Sequence, residues 1–327
     1  MTQTTAARTP VTTRVAPAFG LVVLALGIVY VVWGSTYLAI RVVVEQAPPL
    51  TSMGLRYLTA AVVLGAILAL RGGPRRLALT RKQALGTAFL GLMLPMMGNG
   101  MVSVGENLGA PSGVAALLIA FAPLMIVVFR IIEGDRPRPL SILGVLLGLA
   151  GLAVLVLVGS NSGVGNGFPV GAALLIIFAS TCWALGSYSQ SRLWRPRDVF
   201  VTTVYEMLFG GLLLTTVGQL SGESFRAAAY GPRTWTALGY LILFGSVVAF
   251  TSYVWLLANA PISFVATYAY VNPVVAVFLG WLILHEQVTL PVLVGGGIVV
   301  AAVALVITAE RPRRQRKDAG AATRTTG

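Results

Sequence analysis

Residues 110–123 read APSGVAALLIAFAP, and residues 260–273 read APISFVATYAYVNP. The two stretches lie 150 residues apart, and the same shift places Trp33 on Trp183. A shift of one more residue places Asp135 on Glu286. These matches predict a chain built from two repeats. Apolar segments also resemble one another by composition, but composition alone does not account for matching tryptophans and prolines.

The composition excludes a water-soluble protein. Of 327 residues 57% are hydrophobic and only 10% are charged, and the mean hydropathy is +0.85. A soluble domain carries about 25% charged residues, whereas a membrane-spanning helix needs roughly 20 mostly apolar residues. Ten stretches meet that requirement. They cover residues 19–42, 51–70, 83–106, 112–132, 140–158, 169–190, 199–220, 235–257, 263–284 and 291–309.

Each repeat contains five of these spans, and an odd number of crossings turns the second repeat upside down relative to the first. The sequence therefore predicts an all-α membrane protein of ten transmembrane helices in two inverted-topology repeats. This is an architecture of secondary transporters, whose substrate site lies near the bilayer midplane between the repeats. The expected segments are an N-terminal tail (1–18), the first repeat (19–158), an external loop (159–168), the second repeat (169–309) and a basic tail (310–327).

The net charge of +13 is explained by the positions of the cations. With both termini on one side of the membrane, 19 of the 23 Lys and Arg residues fall on that side, Arg226 and Arg233 fall on the other, and Arg41 and Arg56 lie within spans. Cytoplasmic loops retain positive charge, so we expect a multi-pass protein of the cell membrane with both termini in the cytoplasm. The basic tail suits anionic lipid headgroups, and nucleic acid is not an expected partner.

Several short motifs follow one another between about residues 20 and 309. They are Trp33-Gly34-Ser35-Thr36-Tyr37, Pro48-Pro49, Leu55-Arg56-Tyr57, Ala110-Pro111-Ser112-Gly113, Gly134-Asp135-Arg136, Met207-Leu208 with Gly210-Gly211, and His285-Glu286. In this order and spacing the chain resembles the EamA family of the drug/metabolite transporter superfamily. The resemblance implies ten helices in two inverted EamA repeats. It also implies export of small metabolites or drugs from the cytoplasm.

Polar and aromatic residues in the middle of the spans are the candidates for a substrate cavity, because a polar group inside a span is costly and needs a role. Prolines inside spans are the candidates for helix breaks, because proline leaves a backbone carbonyl without its donor. The predicted cavity residues are Trp33, Ser35, Thr36, Tyr37, Asn99, Trp183, Tyr188, Tyr268, Tyr270 and Asn272, and the predicted breaks are Pro95, Pro123 and Pro273.

Three charged residues inside spans are candidates for gating or charge coupling. Glu206 lies about 10 Å into the hydrocarbon core from the inner side, where removal from water disfavours a charged carboxylate and suits a proton carrier. The alternative role of Glu206 is a carboxylate that faces water or accepts a hydrogen bond from a neighbouring side chain. Arg56 occupies the equivalent position of span two, towards the outer side, with Arg41 and Glu106. Arg56 or Arg41 is expected to pair with Glu106 or with Glu45. The functional alternatives are a gate that closes the outer mouth or an anchor for a substrate carboxylate, and the structural alternative is a snorkelling side chain in a static ion pair.

The sequence favours a secondary active transporter that exports small metabolites, such as amino acids or their derivatives, or drugs by alternating access. The alternative is a facilitative permease or importer of a small polar metabolite such as a sugar or nucleotide derivative. A phosphate-binding GxxxxGK[ST] loop is absent from the sequence, so ATP is not the expected energy source. We expect no enzymatic activity, no cofactor and no metal, because the chain has one His, one Cys and few scattered carboxylates. Expected partners are the small-molecule substrate and membrane lipids, with the protein a monomer or homodimer.

Overall fold

Helices make up nearly all of the structure, a computed structural model that describes residues 19–158 and 168–310. The expected N-terminal tail, most of the external loop at 159–168 and the basic tail after residue 310 lie outside the described residues. Ten helical segments, numbered here in chain order, run through the described ranges. They are α1 (Phe19–Val44), α2 (Pro49–Gly72), α3 (Arg81–Asn107), α4 (Ser112–Ile132), α5 (Pro139–Val158), α6 (Val170–Ser189), α7 (Val199–Leu220), α8 (Pro232–Asn259), α9 (Tyr268–Leu284) and α10 (Leu290–Glu310).

Nine of these segments are long and apolar enough to cross a bilayer, and α9 is the shorter exception. Its 17 residues extend about 25 Å at 1.5 Å per residue, slightly less than the hydrocarbon core of a bilayer. A separate helical turn, Ile262–Val265, precedes it. The predicted continuous span at 263–284 is therefore interrupted, whereas the other nine spans lie within a few residues of their predicted bounds.

The helix interruptions only partly follow the prolines. The segment α4 consists of two pieces, Ser112–Ile119 and Ala122–Ile132, and Pro123 lies in the first turn of the second piece. Pro95 lies inside α3, within a π-helical stretch at Leu92–Gly100. Pro273 lies inside the unbroken helix α9. The break expected at Pro273 is found instead at residues 266–267, where Thr267 Oγ1 donates to the Phe264 carbonyl (2.6 Å).

The packing of the helices reflects the repeat. Helix α2 packs against its counterpart α7, α5 against α10, and α4 against α9. In the repeat, α6 is the counterpart of α1 and α3 is the counterpart of α8. The contact between α1 and α8 is accordingly matched by the contact between α6 and α3. The described helices therefore form a pseudo-twofold arrangement, as the inverted repeat predicts.

The α2–α7 contact depends on glycine. A Cβ atom on Gly211 would lie 2.9 Å from the backbone nitrogen of Leu58 and 3.1 Å from the carbonyl oxygen of Gly54. A Cβ atom on Gly54 would collide with Thr215. Small residues let membrane helices approach this closely, so the two backbones are in contact along the centre of the protein.

The two ends of the helical bundle differ chemically. One end, here called the basic end, contains the connections 73–80, 133–138 and 190–198, and ion pairs such as Arg76–Asp198 (2.7 Å) join them. The other end, here called the glutamate end, contains the connections 45–48, 108–111, 221–231 and 285–289. Its polar contacts are made mainly by Glu223 and Glu286.

Candidate functional site

A small cavity lies at the centre of the protein, where the two repeats meet. Its volume is about 30 Å³, which is enough for water but not for a metabolite. The lining comes from α1, α2, α3, α4, α6 and α9. It consists of Trp33, Thr36, Tyr37, Ile40, Arg56, Gly98, Asn99, Val102, Ile119, Trp183 and Tyr268.

The two tryptophans that the repeat aligns meet in this central cavity. The rings of Trp33 and Trp183 are 5.3 Å apart at 80°, and Trp33 makes a similar edge contact with Tyr268 at 5.6 Å. Each indole nitrogen has a partner: Trp33 donates to the carbonyl of Gly245 (3.2 Å), and Trp183 donates to the hydroxyl of Tyr268 (3.0 Å). Edge-to-face contacts of this kind stabilise an aromatic cluster, which here forms one wall of the cavity.

Arg56 is the charged group of the central cavity, and its side chain is almost completely buried. Its Nε atom donates to the Ser246 hydroxyl (2.8 Å), and Nη1 donates to Asn99 Oδ1 (3.4 Å) and faces Met53 Sδ (3.7 Å). The guanidinium also lies over the ring of Tyr57, 4.8 Å from its centroid. All of these partners are neutral.

The predicted ion pair between Arg56 and Glu106 is not formed. Glu106 is fully buried, and neither carboxylate oxygen has a hydrogen-bond partner among the described residues. Arg41 donates to the backbone carbonyl of Glu106 and approaches Glu45 at 3.8 Å. The contact between α1 and α3 at this depth therefore uses the backbone of Glu106 and leaves its side chain unpaired.

The glutamate end is held together by a carboxylate that joins the two repeats. Glu286 follows α9 and accepts hydrogen bonds from the backbone nitrogens of Ser112 (2.8 Å) and Gly113 (3.2 Å) and from the Ser112 hydroxyl (3.0 Å). The left-handed backbone of His285 turns the chain so that this carboxylate reaches the start of α4. A carboxylate at a helix N-terminus is favourable because the helix dipole is positive there. The contact ties α4 to α9 on this side of the cavity.

At the basic end a larger vestibule of about 380 Å³ opens between the repeats. Its polar lining includes Arg130, Ser187, Tyr188, Gln190 and Arg192. A smaller cavity of about 10 Å³ lies between the two and shares lining residues with each, among them Ser187 with the vestibule and Trp183 with the central cavity.

Aromatic side chains line this smaller cavity. Tyr253 stands in it beside Trp183 and Tyr268, and its hydroxyl bonds to Ser187 (2.7 Å). The three spaces thus lie in sequence from the basic end to the centre of the protein.

Glu206 lies next to the vestibule rather than in the central cavity. Its side chain is fully buried in α7, and Oε1 accepts a hydrogen bond from the Gln190 amide (2.7 Å). The other oxygen, Oε2, has no partner among the described residues. Since Gln190 also lines the vestibule, one side chain separates this carboxylate from the open space.

Four of the ten predicted cavity residues lie outside the central cavity. Tyr188 lines the vestibule, where its hydroxyl donates to Glu133 (2.6 Å) and its ring lies under Arg192. Ser35 pairs with the Tyr240 hydroxyl (2.6 Å). The Asn272 amide nitrogen donates to the carbonyls of Tyr30 and Tyr268. Tyr270 is half-buried and does not line the cavity.

Sequence reasoning missed several residues of the site. Tyr253 and Ser246 were overlooked because they lie in a strongly apolar stretch of α8 without a proline or charge to draw attention to it. Gln190 was overlooked because it lies at the end of a span. Among the described residues, no three His, Cys, Asp or Glu side chains come together as a metal site would require.

These features define a membrane protein with an enclosed site between two inverted repeats. The model of the EamA-like transporter family matches residues 4–157 and again 170–308. The chain therefore belongs to the EamA-like transporter family, and it is a membrane transporter.

Relatives agree with this assignment. The inner membrane transporter YedA of Escherichia coli is 40% identical over 292 residues, which cover 89% of this chain and 90% of YedA. A transporter of Chlamydia trachomatis, named for S-adenosylmethionine and S-adenosylhomocysteine, is 25% identical and covers 78% of this chain and 80% of its own length. A solved crystal structure matches 88% of this chain and 96% of its own with a TM-score of 0.63. At 20% identity that likeness concerns the fold alone.

Proposed function

We propose that the protein is a secondary active transporter that exports small metabolites, such as amino acids or their derivatives, or drugs by alternating access. One observation carries this proposal: a central cavity between the repeats lies in line with a wider vestibule at the basic end, whereas at the glutamate end Glu286 holds the two repeats together. A carrier must open to one side at a time, and inverted repeats supply two equivalent arrangements for doing so.

The basic end is proposed to face the cytoplasm, since cytoplasmic loops retain Lys and Arg. The vestibule would then admit substrate from inside the cell, which is the arrangement an exporter needs before it turns outward. Membrane-impermeant labelling of single cysteines, placed in a Cys182→Ala background, tests this. Residues 72–80 should react only from the cytoplasmic side and residues 161–166 only from outside, and the opposite result refutes the orientation.

Glu206 is the proposed coupling group. Burying a carboxylate without a cation is costly, and Oε2 has no partner among the described residues, so this oxygen is suited to hold a proton. Gln190 connects the carboxylate to the vestibule. A protonated Glu206 in one orientation and an ionised one in the other would couple export to the proton gradient.

Replacing Glu206 by Gln tests the coupling. Glu206→Gln should abolish transport driven by a pH gradient while sparing exchange of substrate across the membrane, because exchange needs no net proton movement. Asp198→Asn, at the Arg76 pair away from the cavities, is the matched control and should keep both activities. Unchanged pH dependence in Glu206→Gln would rule out Glu206 as the coupling group.

An untargeted comparison of exported metabolites, with and without the protein, tests the function itself. Compounds that accumulate outside only when the protein is present, and that move in proteoliposomes containing the purified protein, are its substrates. Movement that follows only the substrate's own gradient, whatever the pH gradient, would favour the facilitative alternative. No protein-dependent movement of any compound would refute the proposed function.

A further inference from the structure

Arg56 is a buried cation without an anionic partner among the residues that the structure describes. Arg56 is 2% exposed, and the hydrogen bonds of its guanidinium go to Ser246, Asn99 and Met53. A buried charge is expensive unless it is paired, and none of these three partners carries a negative charge. Glu106, the carboxylate expected to pair with it, is not among its contacts.

One guanidinium nitrogen of Arg56 has no hydrogen-bond partner among the described residues. Arg56 lines the central cavity, and the nitrogen without a partner is Nη2. Gly245 lies against Nη2: a Cβ atom at that position would lie 3.0 Å from Nη2 and 3.1 Å from the methyl group of Thr36. The absence of a side chain at Gly245 therefore preserves the space beside the charged group.

The remaining walls of the central cavity select against a cation. None of its lining residues is Asp or Glu, so a positively charged group on a ligand would meet Arg56 without a compensating carboxylate. The rings of Trp33, Trp183 and Tyr268 line the same cavity, and stacked or edge contacts with such rings favour a flat or branched apolar body.

We propose that Arg56 binds the carboxylate of the transported molecule, and that the substrate is a small organic monoanion with an aromatic or branched apolar body. A guanidinium holds a carboxylate through two parallel N–H···O bonds, and Nη2 supplies a free donor in the required place. This proposal rests on the proposed function, since it names the substrate class of the transport site. The cavity must widen to admit such a molecule.

A matched set of ligands that differ only in charge tests the charge preference. Purified protein in lipid nanodiscs is titrated with phenylpropionate, L-phenylalanine, phenylpropanol and phenethylamine by calorimetry. Phenylpropionate should bind most tightly, phenylalanine about tenfold more weakly because its ammonium has no acidic partner, and phenethylamine not measurably. Equal or tighter binding of phenethylamine, or no binding of phenylpropionate, overturns the proposal.

Variants distinguish a binding role of Arg56 from a structural one. Arg56→Gln should weaken phenylpropionate binding by roughly 10- to 100-fold, and Arg56→Lys should restore part of it because the charge is kept. Arg138→Gln removes an exposed arginine at the basic end, which donates to the Ala309 carbonyl, and should leave phenylpropionate affinity unchanged.

A second variant keeps the test valid if Arg56→Gln does not fold. Asn99→Asp places a carboxylate beside Nη1, where the amide oxygen now lies at 3.4 Å. This variant should raise the Tm of the free protein and abolish phenylpropionate binding, because the new carboxylate competes for the guanidinium. A stable Asn99→Asp protein that binds phenylpropionate as tightly as the wild type refutes the proposal.

The transport experiment separates this inference from the proposed function. Proteoliposomes are loaded with a whole-cell metabolite extract, and the compounds released through the protein are identified. Release of cations or neutral compounds but not carboxylates leaves the transporter intact and refutes the anion site. Release of nothing refutes the proposed function instead.

Discussion

Removing the negative charge of Glu286 should open the glutamate end of the protein. This carboxylate accepts three hydrogen bonds, two of them from backbone nitrogens at the start of α4. In Glu286→Gln an amide replaces the carboxylate, which leaves one oxygen to accept and removes the favourable charge at the helix N-terminus. Since this contact joins α4 of one repeat to the end of α9 of the other, its loss should favour separation of the two repeats on that side.

The expected size of the effect follows from these contacts. Loss of a helix-capping side chain costs about 1 kcal/mol, and loss of the charge–dipole interaction costs about 0.3–1 kcal/mol more. A total of about 1.3–2 kcal/mol changes the ratio of open to closed protein by roughly 10- to 30-fold, since 1.4 kcal/mol is a factor of ten. Ser112→Ala removes one of the three bonds and should give a smaller change, roughly 3- to 10-fold.

Labelling of a buried cysteine measures the opening. Ile40 lines the central cavity and is only 1% exposed, so Ile40→Cys, in the Cys182→Ala background, should react with an impermeant maleimide from the glutamate end only when that end opens. The labelling rate should rise in Glu286→Gln by the factor given above.

Glu223→Gln is the control for this labelling, because Glu223 caps the start of α2 in the same manner. There α2 and α7 remain packed through Gly211. An unchanged labelling rate in Glu286→Gln, or an equal increase in Glu223→Gln, would refute the reasoning.

Three further predictions concern other parts of the structure. Gly211→Val should lower the Tm in thermal unfolding, because the new side chain forces α7 away from α2, whereas Gly239→Ala, with nothing within 4 Å of the added carbon, should not. The Arg130 side chain, through its hydrogen bond and its charge, holds the pKa of Asp135 below its usual value of 3.8. The stability from that pair is therefore lost only as the pH falls below this value, so the pH profile of transport between about pH 5 and 8 should be unchanged in Asp135→Asn. Asp198→Ala should cost about 1 kcal/mol in chemical denaturation through loss of the bond that Asp198 accepts from the start of α7 (3.0 Å), and Asp198→Asn should recover most of it.

The sequence predicts the helices and their depth in the membrane better than it predicts their rotation. Depth follows from hydropathy and from the repeat, which places Trp33 and Trp183 at the same level, and the structure brings the two rings together. The rotation of each helix about its own axis decides which of its side chains face a cavity. Trp183 and Tyr188 are five residues apart, which is about 140° around a helix at 3.6 residues per turn, so only Trp183 faces the central cavity and Tyr188 faces the vestibule.

The rotation of the helices, which the sequence does not predict, also explains why Arg56 and Glu106 do not form an ion pair. Arg56 and Glu106 were both assigned to the outer half of their spans, but a shared depth does not mean a shared face. The irregular π-helical stretch at Leu92–Gly100 changes the rotation of α3 before Glu106, and no simple periodicity predicts that change. The neutral partners of Arg56 could not be predicted either, because Ser246 reaches it from the other repeat.

The turns at Gly134 and His285 occupy equivalent positions in the two repeats. Both have left-handed backbones, and each is followed by a carboxylate, Asp135 or Glu286. If the two repeats had identical sequences, inward- and outward-facing arrangements would have equal free energy, because exchanging the repeats converts one into the other. The repeats have diverged here: Asp is one methylene shorter than Glu, and the counterpart of the Ser112 hydroxyl is the hydrocarbon chain of Ile262. If the protein works by the proposed alternating access, such sequence differences between the two repeats would set which side of the membrane the empty transporter faces.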